Sequence, residues 1–111
     1  MTLKNGKTLR WGTYAMYLFC ERNNCDLEGL LELLSSMKFN LKTLSQMIQV
    51  AYYAANKTEW ELESVFEWID ENGGVFAKEG ELIDFANYVV SATIVKQSNP
   101  ITVEGEEEKK S

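Results

Sequence analysis

Side chains able to do chemistry are few in this sequence, and their spacing argues against catalysis. The 111 residues include no histidine, which removes the commonest general base and the commonest metal ligand together. Two cysteines, Cys20 and Cys25, stand close in sequence. Two thiols do not complete a zinc site, and neither has an imidazole to activate it. They read as reduced thiols of a cytoplasmic protein. No glycine-rich phosphate loop or nucleophile elbow accompanies them. The nearest approach to a metal motif is Asp70, Asn72 and Glu81, which match the first, third and last positions of a calcium-binding loop. Val75 stands where that loop's sharp turn requires glycine, and Gly74 offers no side-chain oxygen at the ligand position before it. The expectation is a protein without catalytic residues, cofactor or metal.

The remaining distinctive residues are aromatic and apolar, and they point to binding. Trp60 falls opposite the core stripe when its segment is drawn as a helix, which makes it a candidate anchor for a partner, because tryptophan is enriched at interface hot spots. The alternative is that it packs against the preceding helix. Trp68 lies at the edge of the same stripe. Trp11 stands beside an exposed strand edge to which a second copy or a client could add. In the last helix a second apolar line of Ile83, Val90 and Ile94 serves either a subunit or a client. The candidate partner-binding residues are therefore Trp11, Trp60, Trp68, Ile83, Val90 and Ile94.

The charge distribution narrows the partner. The net charge is −6, and it is unevenly placed. Lys4, Lys7 and Arg10 make the first ten residues basic, while the body that follows is acidic. An acidic body argues against nucleic acid, since phosphate contacts need clustered Lys and Arg. The longest apolar run, Tyr14 to Cys20, is far too short to cross a bilayer, and no signal peptide precedes it.

The elements that would position these residues follow from periodicity. Asn5-Gly6 tolerates the positive φ of a type I′ turn, and Leu3, Lys7 and Leu9 alternate around it, which predicts a small N-terminal β-hairpin. Two strands alone are marginal in water, so the hairpin needs a body to pack on. Gly12 then breaks the strand period and a helix begins. Asp26 caps a second helix with leucines at 27, 30, 31 and 34. Asn40 caps a third, from Leu41 to Ala55, apolar on so much of its circumference that it should be central. Thr58 with Glu61 reads as the capping box of a fourth helix, stopped by Gly73-Gly74. Its Glu59 to Glu71 face carries acids and no base, either as a solvated surface or as a dock for a basic partner. Between Gly73 and Gly80, Val75 and Phe76 are expected to fold back onto the core. A fifth helix runs from about Glu79 to Lys96 on the stripe Leu82, Phe85, Ala86, Val89 and Thr93. The sequence after Pro100 is acidic and poor in large apolar residues, and is expected to be disordered.

The predicted fold class is mainly α. A single domain at 1–97 joins the hairpin to a compact bundle of about five helices, and a disordered acidic tail covers 98–111. At this length a chain buries roughly 65% of its unfolded surface, so a core forms without staples.

Taken in order, these features resemble the small tail assembly chaperones of tailed bacteriophages and gene transfer agents. The resemblance covers residues 3 to about 95. It rests on the Asn5-Gly6-Lys7 hairpin, Leu9-Arg10-Trp11-Gly12 leading into a helix with Ala15 and Phe19, and the Asp26-Leu27 start of a leucine-rich helix. It is completed by the Leu41 to Ala55 helix with Ala51-Tyr52-Tyr53-Ala54, and by Thr58 to Asp70 with acids between Leu62, Val65 and Ile69. It implies a non-enzymatic cytoplasmic protein of a bacterial host that keeps the phage tape measure protein soluble during tail morphogenesis. Two other functions fit the same residues. One is a structural or connector protein of a virion or mobile element, self-assembling as a homo-oligomer. The other is an acidic protein-binding regulator acting through the Glu59 to Glu71 face.

Overall fold

Asn5-Gly6 turns the chain, but a hairpin does not follow. The computed structural model describes residues 1–36 and 39–102, with side chains as far as Thr93. Within it Gly6 takes a positive φ of 90°, while Asn5 is not among the residues that do. A type I′ turn needs both. The Gly6 N–H instead donates to the Leu3 carbonyl at 2.9 Å, and the Leu3 N–H donates to the Lys7 carbonyl at 2.8 Å. Pairing then reduces to an isolated antiparallel bridge between Thr2 and Thr8, and no strand occurs among the described residues. The expected β-hairpin is corrected to a bridged loop. The cause is where the next backbone donors go. Arg10 N–H donates to the Ala51 carbonyl at 3.0 Å, Trp11 N–H to the Tyr88 hydroxyl at 3.0 Å, and Lys4 N–H to the Glu81 carboxylate at 2.6 Å. These partners belong to helices, so the ladder has nothing left with which to grow.

Five helices follow, namely α1 (Thr13–Asn23), α2 (Leu27–Ser36), α3 (Leu41–Asn56), α4 (Leu62–Glu71) and α5 (Glu81–Thr102). The mainly helical expectation holds. Helix α2 is capped as predicted, with Asp26 Oδ1 accepting from Gly29 N–H at 2.7 Å. Helix α3 is capped likewise, Asn40 Oδ1 accepting from Thr43 N–H at 2.7 Å. Each such cap satisfies a donor that the helix itself leaves unpaired. Left-handed residues close two helices, Asn24 after α1 and Lys57 after α3.

Helix α3 packs against both α1 and α4, while α2 packs against α5 and α1. The central position expected for α3 agrees with its buried Met47, Ile48, Val50, Ala51 and Ala54. Ser45 of the same helix is also buried. Its hydroxyl donates back to the Leu41 and Lys42 carbonyls, which lets a polar side chain face the core without an orphan group. Leu82, Phe85, Val89 and Thr93 of α5 are buried as expected.

Three local expectations require correction. Helix α4 begins at Leu62 with Glu61 at its N-cap and no side-chain cap bond, so the Thr58–Glu61 capping box does not form. The Thr58 hydroxyl donates to Asn56 O instead, because the chain there is still leaving the left-handed end of α3. Val75 and Phe76 do not fold back, Phe76 being 92% exposed. The glycine stop is real, with Gly73 and Gly74 at φ 99° and 87°. Ala77 N–H then donates to Gly74 O at 3.2 Å, a turn that holds Val75-Phe76 at its tip. Finally, the α5 backbone continues to Thr102, beyond the expected end at Lys96 and into the segment expected to be a tail. The β-branched residues near 95 lower helix propensity by only about 0.5 kcal/mol each, too little to end a helix anchored by Phe85 and Val89. The part of the expected tail at 103–111 lies outside the described residues. No helix among the described residues is long and apolar enough to cross a membrane.

Candidate protein-binding groove

The three tryptophans named as candidate binding residues are in the core, and for Trp60 it is the other reading, packing against the preceding helix, that holds. Trp60 is 5% exposed, Trp68 4% and Trp11 2%. The helical wheel misplaced Trp60 because α4 starts two residues later, so its direction is set by an extended segment. Its ring lies 5.3 Å from that of Tyr52 and 5.7 Å from that of Trp68. Lys7 Nζ sits over both Tyr52 and Trp60, at 5.2 and 5.3 Å from the ring centroids. That contact fastens the N-terminal loop to the aromatic cluster, with a cation–π attraction of about 0.5–1 kcal/mol at such a site. The Trp68 indole N–H approaches Glu81 Oε1 at 3.4 Å, and the same carboxylate holds Lys4 N–H. Trp11 stands apart, edge-on to Phe19 at 6.4 Å, and its indole N–H donates to Thr93 Oγ1 at 2.7 Å. The aromatic residues therefore knit the first twelve residues to α3, α4 and α5. Ile83 and Val90 are half-buried on α5, and the side chain of Ile94 lies outside those described.

Exposed apolar surface gathers elsewhere. A groove of about 1110 Å³ opens between α1, α2 and α5, lined by Met16, Tyr17 and Cys20 of α1, Leu27, Leu30 and Leu31 of α2, and Thr93 of α5 among others. Leu27 is 65% exposed and Tyr17 54%, while Leu30 is buried at the floor. Thr93 is the residue to which Trp11 is tied, so the aromatic framework supports this wall from behind. The groove was legible in one respect. Helix α2 places leucine at 27, 30, 31, 33 and 34 in ten residues, more than a helix with one covered face needs. Met16 and Tyr17 gave no such signal.

The groove's lining is largely apolar. Cys20 faces it, and its thiol is pushed up to about 11, first by burial, then by its hydrogen bond with Cys25 and the negative charges nearby. A thiol so disposed stays protonated and behaves as a small apolar side chain. The Tyr17 hydroxyl donates to Glu21 Oε2 at 3.0 Å, and that bond raises its pKa. Asp26 and Glu28 line one side of the groove, and Glu21 and Glu32 are exposed nearby on α1 and α2. The one base of these two helices, Arg22, is engaged with Glu59 at 3.1 Å. An apolar floor with an acidic rim is the result.

A smaller depression of about 420 Å³ lies at the start of α1, bordered by Arg10, Tyr14 and Lys57. Lys57 Nζ is committed there, donating to Ala54 O and lying over the Tyr14 ring. Comparisons of the chain with known protein families, with curated proteins and with solved structures returned no match.

Proposed function

We propose that the protein is a non-enzymatic tail assembly chaperone, which holds a tape measure protein in soluble form while a phage tail is built. The observation that carries this function is the open apolar groove between α1, α2 and α5. Leu27 and Tyr17, large side chains left in water, cost free energy unless a partner covers them, at about 25 cal/mol per Å² of apolar surface. A long client rich in amphipathic helices has complementary stripes, and helix-in-groove docking matches such faces. The net charge of −6 keeps the carrier soluble while it presents that surface. The sequence features that resemble those of tail assembly chaperones, apart from the hairpin and the helix start at Thr58, support the same assignment. On this reading the protein acts in the bacterial cytoplasm and leaves before the tail is finished.

Co-expression tests it. A phage tape measure protein should partition to the soluble fraction and co-purify with the chain when both are made. A client equally soluble and unbound without the chain would overturn the assignment.

A further inference from the structure

We infer that the groove between α1, α2 and α5 selects a basic amphipathic helix, an apolar stripe flanked by Lys or Arg. The inference deepens the chaperone reading by naming the chemistry of the client segment at the same site. It rests on size and on charge. Two turns of α-helix occupy roughly 1000 Å³, taking a cylinder of about 11 Å diameter, and the groove offers about 1110 Å³. Leu27, Leu30, Leu31 and Met16 give the groove an apolar lining. Charge then discriminates among helices that fit.

The rim is acidic on the α2 side. Asp26 and Glu28 line the groove, and Glu32 follows one turn along the same helix as an exposed acid. Helix α2 contains no base. Asp26 also caps α2, and this bond to Gly29 N–H fixes its carboxylate beside the groove. On the α1 side Glu21 is exposed, and the neighbouring Arg22 is turned to Glu59. No cation of α1 or α2 is left to neutralise the rim, so a helix flanked by glutamates meets like charge on both walls. One flanked by lysines meets opposite charge. Such complementarity acts chiefly on partner choice and on association rate, and weakens as salt screens it.

Three synthetic peptides of about fourteen residues test this by fluorescence anisotropy against the full chain. One has leucines at i, i+3, i+4 and i+7 with lysine flanks, the second has each lysine replaced by glutamate, and the third keeps the lysines but scrambles the leucines. The lysine-flanked helix should bind about tenfold more tightly than the glutamate-flanked one at low salt, with the scrambled peptide far weaker than the first. Glu28→Lys with Glu32→Lys, which leaves two bases against Asp26 and Glu21, should abolish the preference between the first two. Glu28→Gln with Glu32→Gln, which places no cation at the positive end of α2 and leaves Asp26 and Glu21, should narrow the preference without abolishing it. Leu27→Ser should weaken the lysine-flanked peptide about tenfold.

Equal binding of the first two peptides, a preference undiminished in the charge variants, or equal binding of the scrambled peptide would overturn the inference. So would a dimer of the chain that excludes every peptide. Client solubility in the co-expression experiment reads the chaperone assignment separately. Charge-selective peptide binding beside an unaffected client overturns the chaperone and keeps the groove. A client held alike by the native chain and by the Glu28→Lys, Glu32→Lys variant, with no peptide selectivity, does the reverse.

Discussion

Trp60 and Leu27 each stand at or just before the first turn of a helix, and each belongs to a residue type expected to seek cover. Trp60 finds it. Its ring is enclosed by Tyr52, Trp68 and the Lys7 ammonium, and the Gln49 side-chain amide donates to its carbonyl at 2.9 Å. Leu27 is left 65% exposed beside the groove. The difference follows from what surrounds each start. The segment before α4 runs beside the central helix and the N-terminal loop, so every direction open to Trp60 is filled. Helix α2 touches only α5 and α1 to any extent, and its leucines outnumber the faces available to cover them. A residue's propensity for interfaces thus says less about function than whether the fold has already consumed it. The tryptophans are consumed in joining the N-terminal loop to the helices, and Tyr17 with the exposed Leu27 of α2 is what remains at the groove.

The contrast is broken most sharply at Trp60. If the aromatic cluster is core, Trp60→Ala removes a buried side chain that its neighbours cannot replace, and the loss should be about 3–5 kcal/mol. In a domain whose total stability is on the order of 5–15 kcal/mol, that is a large part of the whole. Denaturant unfolding followed by far-ultraviolet circular dichroism measures it. A loss under about 1 kcal/mol would mean that Trp60 is dispensable to the fold and would return it to the pool of binding residues.

A smaller effect is expected where the framework meets the groove. Trp11→Phe keeps an aromatic ring against Phe19 but removes the donor to Thr93 Oγ1. A buried hydroxyl left without that partner costs about 1–3 kcal/mol. Adding Thr93→Val to the same chain should recover much of it, since neither partner is then orphaned, and the double-mutant cycle isolates the bond. Additive losses would show that the indole N–H contributes nothing through Thr93.

Much of this arrangement was legible, for reasons that differ by element. Asp26 and Asn40 announced α2 and α3 because a cap is a local event, a side-chain oxygen reaching a backbone N–H three residues on. The stripe of Leu82, Phe85, Val89 and Thr93 was legible because α5 is long and regular enough for its period to speak. The Asn5-Gly6 hairpin failed because strand growth depends on distant donors and acceptors, and those of Lys4, Arg10 and Trp11 are taken by Glu81, Ala51 and Tyr88. Trp60 failed because a helical wheel presumes a helix, and the first turn lies later. The binding residues failed for a related reason. The repeat of Leu27, Leu30, Leu31 and Leu34 identifies an apolar face but cannot divide it into covered and uncovered halves, which only the position of α5 decides.

The smallest expected effect is the most telling. Leu27→Ser deletes a large apolar side chain from α2, and by residue type alone it would pass for a core substitution of a few kcal/mol. Its exposure predicts otherwise, a stability change within about 0.5 kcal/mol. Serine's somewhat lower helix propensity acts at the first helical position, whose backbone N–H has no partner within the helix to lose. Unfolding of the isolated chain in urea measures this. If Leu27→Ser instead destabilises the chain as Trp60→Ala does, the groove is closed in solution and α2 is a core helix. If stability is kept while partner binding falls, the two sides of the molecule are separate in function as well as in burial, and Leu27 belongs to the partner.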